Sequence, residues 1–124
     1  MDKQELQERM TDFAVRIINM VDVLPSTLGA QTIARQIVCS GTSPFANYRA
    51  ACIAKSDKDF LNKLKMVEEE LDETCHWLEL IMRCQMLKPA RIEPLYLGNK
   101  ELLSIIEKSI VTHKVRLNAD NMVQ

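Results

Sequence analysis

The sequence is poor in the residues that build sheets, turns and open loops. Glycine occurs 3 times and proline 4 times in 124 residues, and aromatic side chains make up 5%. Sheets favour aromatic and β-branched side chains, so helices are the expected elements. The core must then be aliphatic, with the 7 methionines filling its gaps. No C-x-x-C pair occurs among Cys39, Cys52, Cys75 and Cys84. That spacing argues against a zinc site or a disulfide framework and for reduced thiols within helices. An excess of one charge is also lacking: 16 Lys and Arg stand against 17 Asp and Glu, for a net charge of −1. A protein dedicated to duplex nucleic acid usually carries a basic excess. No apolar run approaches the ~20 residues of a membrane span, and the opening MDKQELQERM has no apolar core of a secretory signal. One soluble, cytoplasmic domain covering residues 1–124, with no membrane partner, is the expectation.

What is present is heptad periodicity. Between Ser56 and Met86, apolar or small residues fall at Phe60, Leu64, Val67, Leu71, Thr74, Leu78 and Ile81, in steps of four and three. This is the seam of a long helix packed almost parallel to its neighbours. The stretch has no Gly or Pro, Ser56 can cap it, and at 1.5 Å per residue it is roughly 45 Å long. Leu61, Cys75 and Met82 widen the apolar stripe, while Glu69, His76 and Arg83 take the outermost position. A second seam, Leu6, Met10, Phe13, Ile17, Met20 and Leu24, precedes Pro25. The pattern predicts an all-α, antiparallel up-down four-helix bundle with helices at about 3–23, 28–55, 57–86 and 92–118, and a frayed tail from Ala119 to Gln124. In the last helix the stripe is Leu102, Leu103, Ile106, Ile110, His113 and Leu117, and Gly98-Asn99 weakens its first half.

The second helix is unusual. Pro44 lies inside it, and an interior proline loses a backbone bond and clashes with the preceding turn. Ser43 can cap a new helix with Pro44 at its first position, so a kink or short break near Ser40–Pro44 is expected. Gln36, Ser40, Ser43 and Asn47 form a polar stripe that reads as a structural hydrogen-bond network, with Glu70 of the third helix as the partner of Asn47. A ligand-contacting face is the functional alternative.

Charge is unevenly spread. Residues 66–79 carry six acids and no base, whereas residues 80–118 carry seven bases against three acids. Arg83, Lys88, Arg91, Lys108, Lys114 and Arg116 are therefore candidate contacts to nucleic acid. A solvated basic face explains them equally well. Phe45, Tyr48 and Trp77 fall at or beyond the core edges and are candidate subunit contacts. Val15 and Ile18 also lie off the first seam.

Catalytic constellations are hard to assemble. Glu73-x-x-His76 matches one half of a di-iron motif, which needs two copies and two further glutamates facing inward. The second histidine, His113, has Ile110 three residues before it, and the heptad turns Glu73 and His76 outward. Cys75 and His76 are adjacent and diverge by about 100° on a helix. Gly29, Gly41 and Gly98 are isolated and make no phosphate loop. No enzyme activity, cofactor, metal or small-molecule substrate is expected.

Two blocks give the chain a likeness. Ser40-Gly41-Thr42-Ser43, Ala46-Asn47-Tyr48-Arg49-Ala50-Ala51, Ala54-Lys55-Ser56 and Asp59-Phe60 form the first. Lys63-Leu64, Val67-Glu68-Glu69, Asp72-Glu73 and Trp77-Leu78-Glu79-Leu80 form the second. With Phe13-Ala14 and Leu24-Pro25, they make the sequence resemble the four-helix-bundle proteins encoded in 23S ribosomal RNA intervening sequences. The resemblance implies a bacterial, cytoplasmic protein of unassigned molecular role and no enzyme activity, assembled as a five-membered ring. A related branch serves the reverse transcriptase of diversity-generating retroelements as a basic, ring-shaped accessory that contacts nucleic acid. Cys39 stands where many relatives have a basic residue, and Pro44-Phe45 replaces a small or aliphatic pair. The implied role is an oligomeric scaffold with RNA or nucleoprotein contact. The retroelement accessory is the alternative, and a di-iron enzyme is the more distant one.

Overall fold

The computed structural model describes residues 1–123, and over them the chain folds into four helices: α1 (Lys3–Val21), α2 (Leu28–Cys52), α3 (Asp57–Arg83) and α4 (Pro89–Val123). Local chemistry sets the starts. Asp2, Thr27 and Ser56 each turn a side-chain oxygen onto the backbone N–H three residues ahead, at 2.8, 3.2 and 3.1 Å, satisfying donors that the first turn leaves free. At the end of α3, Gln85 takes a left-handed conformation (φ 53), and the chain reverses into Pro89, the first residue of α4. Proline suits that position, because its missing N–H has no helical partner there.

The first three helices end two or three residues short of the sequence expectation, and the fourth differs at both ends. The fourth helix starts at Pro89 rather than near 92 and continues to Val123 rather than stopping near Asn118; Gln124, the last residue of the expected tail, lies outside the described residues. Pro94 is accommodated because the carbonyl it leaves unbonded belongs to Ala90, in the exposed first turn. The second helix ends at Cys52, short of 55, and runs unbroken through Pro44. No new helix is capped at Ser43. Its hydroxyl bonds back to the Cys39 carbonyl at 2.6 Å, as Thr42 does to Val38 at 2.6 Å, so both side chains serve the turn before the proline.

The helices pack in chain order around a square, α1 on α2, α2 on α3, α3 on α4 and α4 on α1, with no close backbone approach across the diagonals. Partner residues run in opposite chain order along three of the sides. Ser40 meets Thr74 and Asn47 meets Glu70, Phe60 meets His113 and Glu79 meets Tyr96, and Arg9 meets Glu101 while Arg16 reaches Gly98. Both heptad seams are buried from end to end. Each apolar side chain among them contributes about 1.5–3 kcal/mol by leaving water. Gly41 allows α2 to approach α1: a β-carbon there would lie 2.9 Å from Cγ1 and Cγ2 of Ile17. The α1/α4 side is the thinnest of the four.

Candidate functional site

The expected polar stripe divides. Asn47 Nδ2 donates to Glu70 Oε1 at 2.7 Å, with both residues half-buried. Ser40 is buried, and its hydroxyl lies 2.8 Å from that of Thr74, which also reaches the Glu70 carbonyl at 2.8 Å. Ser43 serves its own helix, as described above. Gln36 is exposed and lies outside the network. Thr74 is the member that periodicity alone conceals: it occupies a seam position as though apolar and is fully buried. Ser40, Thr74, Glu70 and Asn47 thus stitch α2 to α3.

A second polar cluster, at the α3/α4 side, was not expected. Asn99 is fully buried and donates from Nδ2 to the Leu71 carbonyl at 3.0 Å, while its Oδ1 is buried without a partner. Burial pushes the neighbouring Cys75 thiol above its ordinary pKa, with Asn99 and Tyr96 opposing in part. A thiol held protonated is a poor nucleophile. Tyr96 donates to Glu79 Oε1 at 2.7 Å, and Lys100 Nζ stands 4.9 Å from its ring centre. The hydrogen bond to Glu79 is the main cause of a raised Tyr96 pKa. The available signal was spacing: Ile92, Leu95, Asn99, Leu102 and Ile106 step three, four, three, four, so Asn99 belongs to a seam.

The remaining candidates scatter. Tyr48 is 4% exposed and belongs to the core, which removes it from a subunit contact; its ring faces inward because it shares the stripe of Ile37, Pro44 and Ala51. Burial is the first cause of its strongly raised pKa. Phe45 and Trp77 are half-buried. The Arg49 guanidinium stands 5.7 Å from the Phe45 ring centre, and Trp77 Nε1 is buried without a partner. Glu73 and His76 lie on the exposed face of α3, where His76 Nδ1 is 3.9 Å from Asp72. His113 packs on Phe60 with ring centres 4.7 Å apart, and its Nδ1 lies 2.7 Å from the Ser109 carbonyl. That nitrogen can bond the carbonyl only as a donor, which fixes the tautomer of the neutral ring.

All six candidate nucleic-acid contacts are exposed, but they do not form one patch. Lys88 and Arg91 sit at the α3–α4 turn, while Arg116 lies about 38 Å further along α4. Lys114 and Arg116, two residues apart, point about 200° away from each other. Arg83 shares a shallow depression with His76 and Trp77. At the far end, Lys3, Lys55, His113 and Arg116 surround Phe60 together with Asp57.

These features define a helical bundle whose interior is closed by packing and short polar bonds and whose charged chemistry lies outside. Within that class, the family model described as 23S rRNA-intervening sequence protein matches residues 2–108, and the chain belongs to that family. It is also similar to a crystal structure of a protein of unknown function from the S23 ribosomal protein family of Bacteroides thetaiotaomicron. The two share 33% identity over 89% of this chain and 98% of that one, with a TM-score of 0.81. No curated protein matches the sequence. Among the described residues no helix is long and apolar enough to cross a membrane.

Proposed function

We propose that the protein is a non-enzymatic, cytoplasmic scaffold that assembles with copies of itself, as a ring of five, and contacts RNA or a nucleoprotein through its outer charges. One observation carries the assembly: Leu97, Val111 and Val115 on the outer face of α4, and Val15 and Ile18 on α1, are large apolar side chains exposed in the single chain. The exposed acids Glu69, Asp72 and Glu73 on α3 complement the exposed bases Lys108 and Lys114 on α4. That complementarity suits a contact in which one face of a subunit meets a different face of the next, the arrangement that closes rings. Sedimentation tests it. Val111→Asp with Val115→Asp should lower the mass of the particle while leaving helicity unchanged, and Phe45→Asp should weaken assembly more than helicity. An unchanged mass in both variants would refute these faces.

The RNA contact is supported by the family's association with ribosomal RNA and by the free state of the bases. Among the described residues, the only Lys or Arg in an ion pair with a carboxylate is Arg9, with Glu101. If phosphates are bound, the log of the affinity should fall steeply with log salt. Replacing Lys114 and Arg116 by Ala should flatten that slope. Absence of binding at low salt would end this part of the reading. A basic rim on the assembled ring would favour the retroelement accessory role over the plain scaffold.

A further inference from the structure

We propose that the α1/α4 side holds an oxyanion site for a phosphate group, formed by Arg16, Asn19 and Arg91. These three line a cavity of about 180 Å³ over the buried side chains of Met20 and Leu95, and no carboxylate lines it. Neither arginine is in an ion pair among the described residues, in contrast to Arg9, which meets Glu101 at 3.0 Å on the same side of the bundle. The register explains the contrast. Arg16 follows Arg9 by seven residues and lies on the same face of α1; seven residues before Glu101, α4 offers Pro94. The position that would answer Arg16 with a carboxylate is therefore filled by a residue without charge.

Arg16 lies instead beside Gly98, where a β-carbon would stand 3.5 Å from Nη1. The nearby acid Glu93 lines a different cavity, at the α3–α4 turn with Lys88 and Pro89. Arg16 and Arg91 both line this one small cavity, and two like charges on one cavity repel each other unless an anion lies between them. Their planar forks suit the paired oxygens of a phosphate. The Asn19 amide adds a neutral donor, and the oxygens of a tetrahedral oxyanion diverge in space, so that each of the three side chains can meet its own oxygen. The apolar floor excludes water from one side and strengthens each contact. The phosphate can be a free small anion or the 5′ end of an RNA.

The test is titration of the intact protein, followed by the arginine side-chain N–H resonances and by calorimetry. The probes are inorganic phosphate, a short 5′-phosphorylated RNA and the same RNA without its 5′ phosphate. With inorganic phosphate, saturable shifts confined to Arg16 and Arg91 are expected, weakened at least about tenfold by Arg16→Gln or Arg91→Gln and unaffected by Arg35→Gln at an exposed position of α2. Pro94→Glu is the sharper variant. It restores the missing carboxylate, replaces a poor helix former and should abolish binding in a folded protein. Comparable affinity for inorganic phosphate and the phosphorylated RNA identifies a free anion as the ligand; a strong preference for the phosphorylated RNA identifies an RNA end. No saturable response to inorganic phosphate or the phosphorylated RNA, or phosphate binding that survives Arg16→Gln and Pro94→Glu, would overturn the proposal. Particle mass measured on the same samples separates this outcome from a failure of self-assembly.

Discussion

The α2/α3 side and the α1/α4 side are built by opposite means. Between α2 and α3 the helices are joined by two short polar contacts, Ser40 with Thr74 and Asn47 with Glu70, the first fully buried. A register slip there would strand buried hydroxyls, so the polar groups specify alignment as well as adding stability. Between α1 and α4 the approach is thinner, and the polar contact is an ion pair with Glu101 largely exposed. Exposed pairs of that kind contribute about 0–1 kcal/mol. A well-stitched side needs no partner, whereas a thin, charged side leaves room for one.

Substitutions can break or sharpen this contrast. The largest effect is expected from Leu71→Ala, at the fully buried centre of α3, at about 2–5 kcal/mol in urea denaturation; Ile105→Ala, half-buried on the α1/α4 side, should cost clearly less. Thr74→Val keeps the shape and leaves the Ser40 hydroxyl without a partner, for about 1–3 kcal/mol, and adding Ser40→Ala should recover part of that loss. A double variant no more stable than Thr74→Val would mean the two hydroxyls are not coupled. Asn47→Leu should cost about 1–2 kcal/mol, less than a fully buried pair, because Glu70 keeps some access to water. Arg9→Ala should shift stability by less than about 1 kcal/mol, and a larger loss would show the α1/α4 side to be more tightly built than its geometry indicates.

Much of the architecture was legible because burial follows periodicity. Every seam residue of α1 and α3 proposed from spacing is buried, and the cap at Ser56 follows from side-chain type. The partnership of Asn47 with Glu70 was also readable, since heptad position and antiparallel packing together set which residues meet. A short break was one expected outcome at Ser40–Pro44; α2 instead runs on, and the hydroxyls of Thr42 and Ser43 folding back onto the preceding turn are not visible in the lost hydrogen bond alone. Asn99 was overlooked because a polar residue beside glycine reads as a helix weakener, although its spacing places it among Ile92, Leu95 and Leu102. Tyr48, expected at a core edge, is buried because it shares the inward stripe of Ile37, Pro44 and Ala51. The cavity of Arg16 and Arg91 lay beyond any one-helix reading. It arises from residues 75 apart in sequence, and from the proline that stands where a carboxylate would have paired with Arg16.

Self-assembly through the exposed apolar faces is most directly tested by light scattering after gel filtration, at micromolar chain concentration and in moderate salt. Five chains of 14.2 kDa should give a particle of about 71 kDa, little changed by salt because its contacts are mainly apolar. A 14.2 kDa monomer under these conditions would contradict the ring and leave the outer faces of α1 and α4 without an occupant.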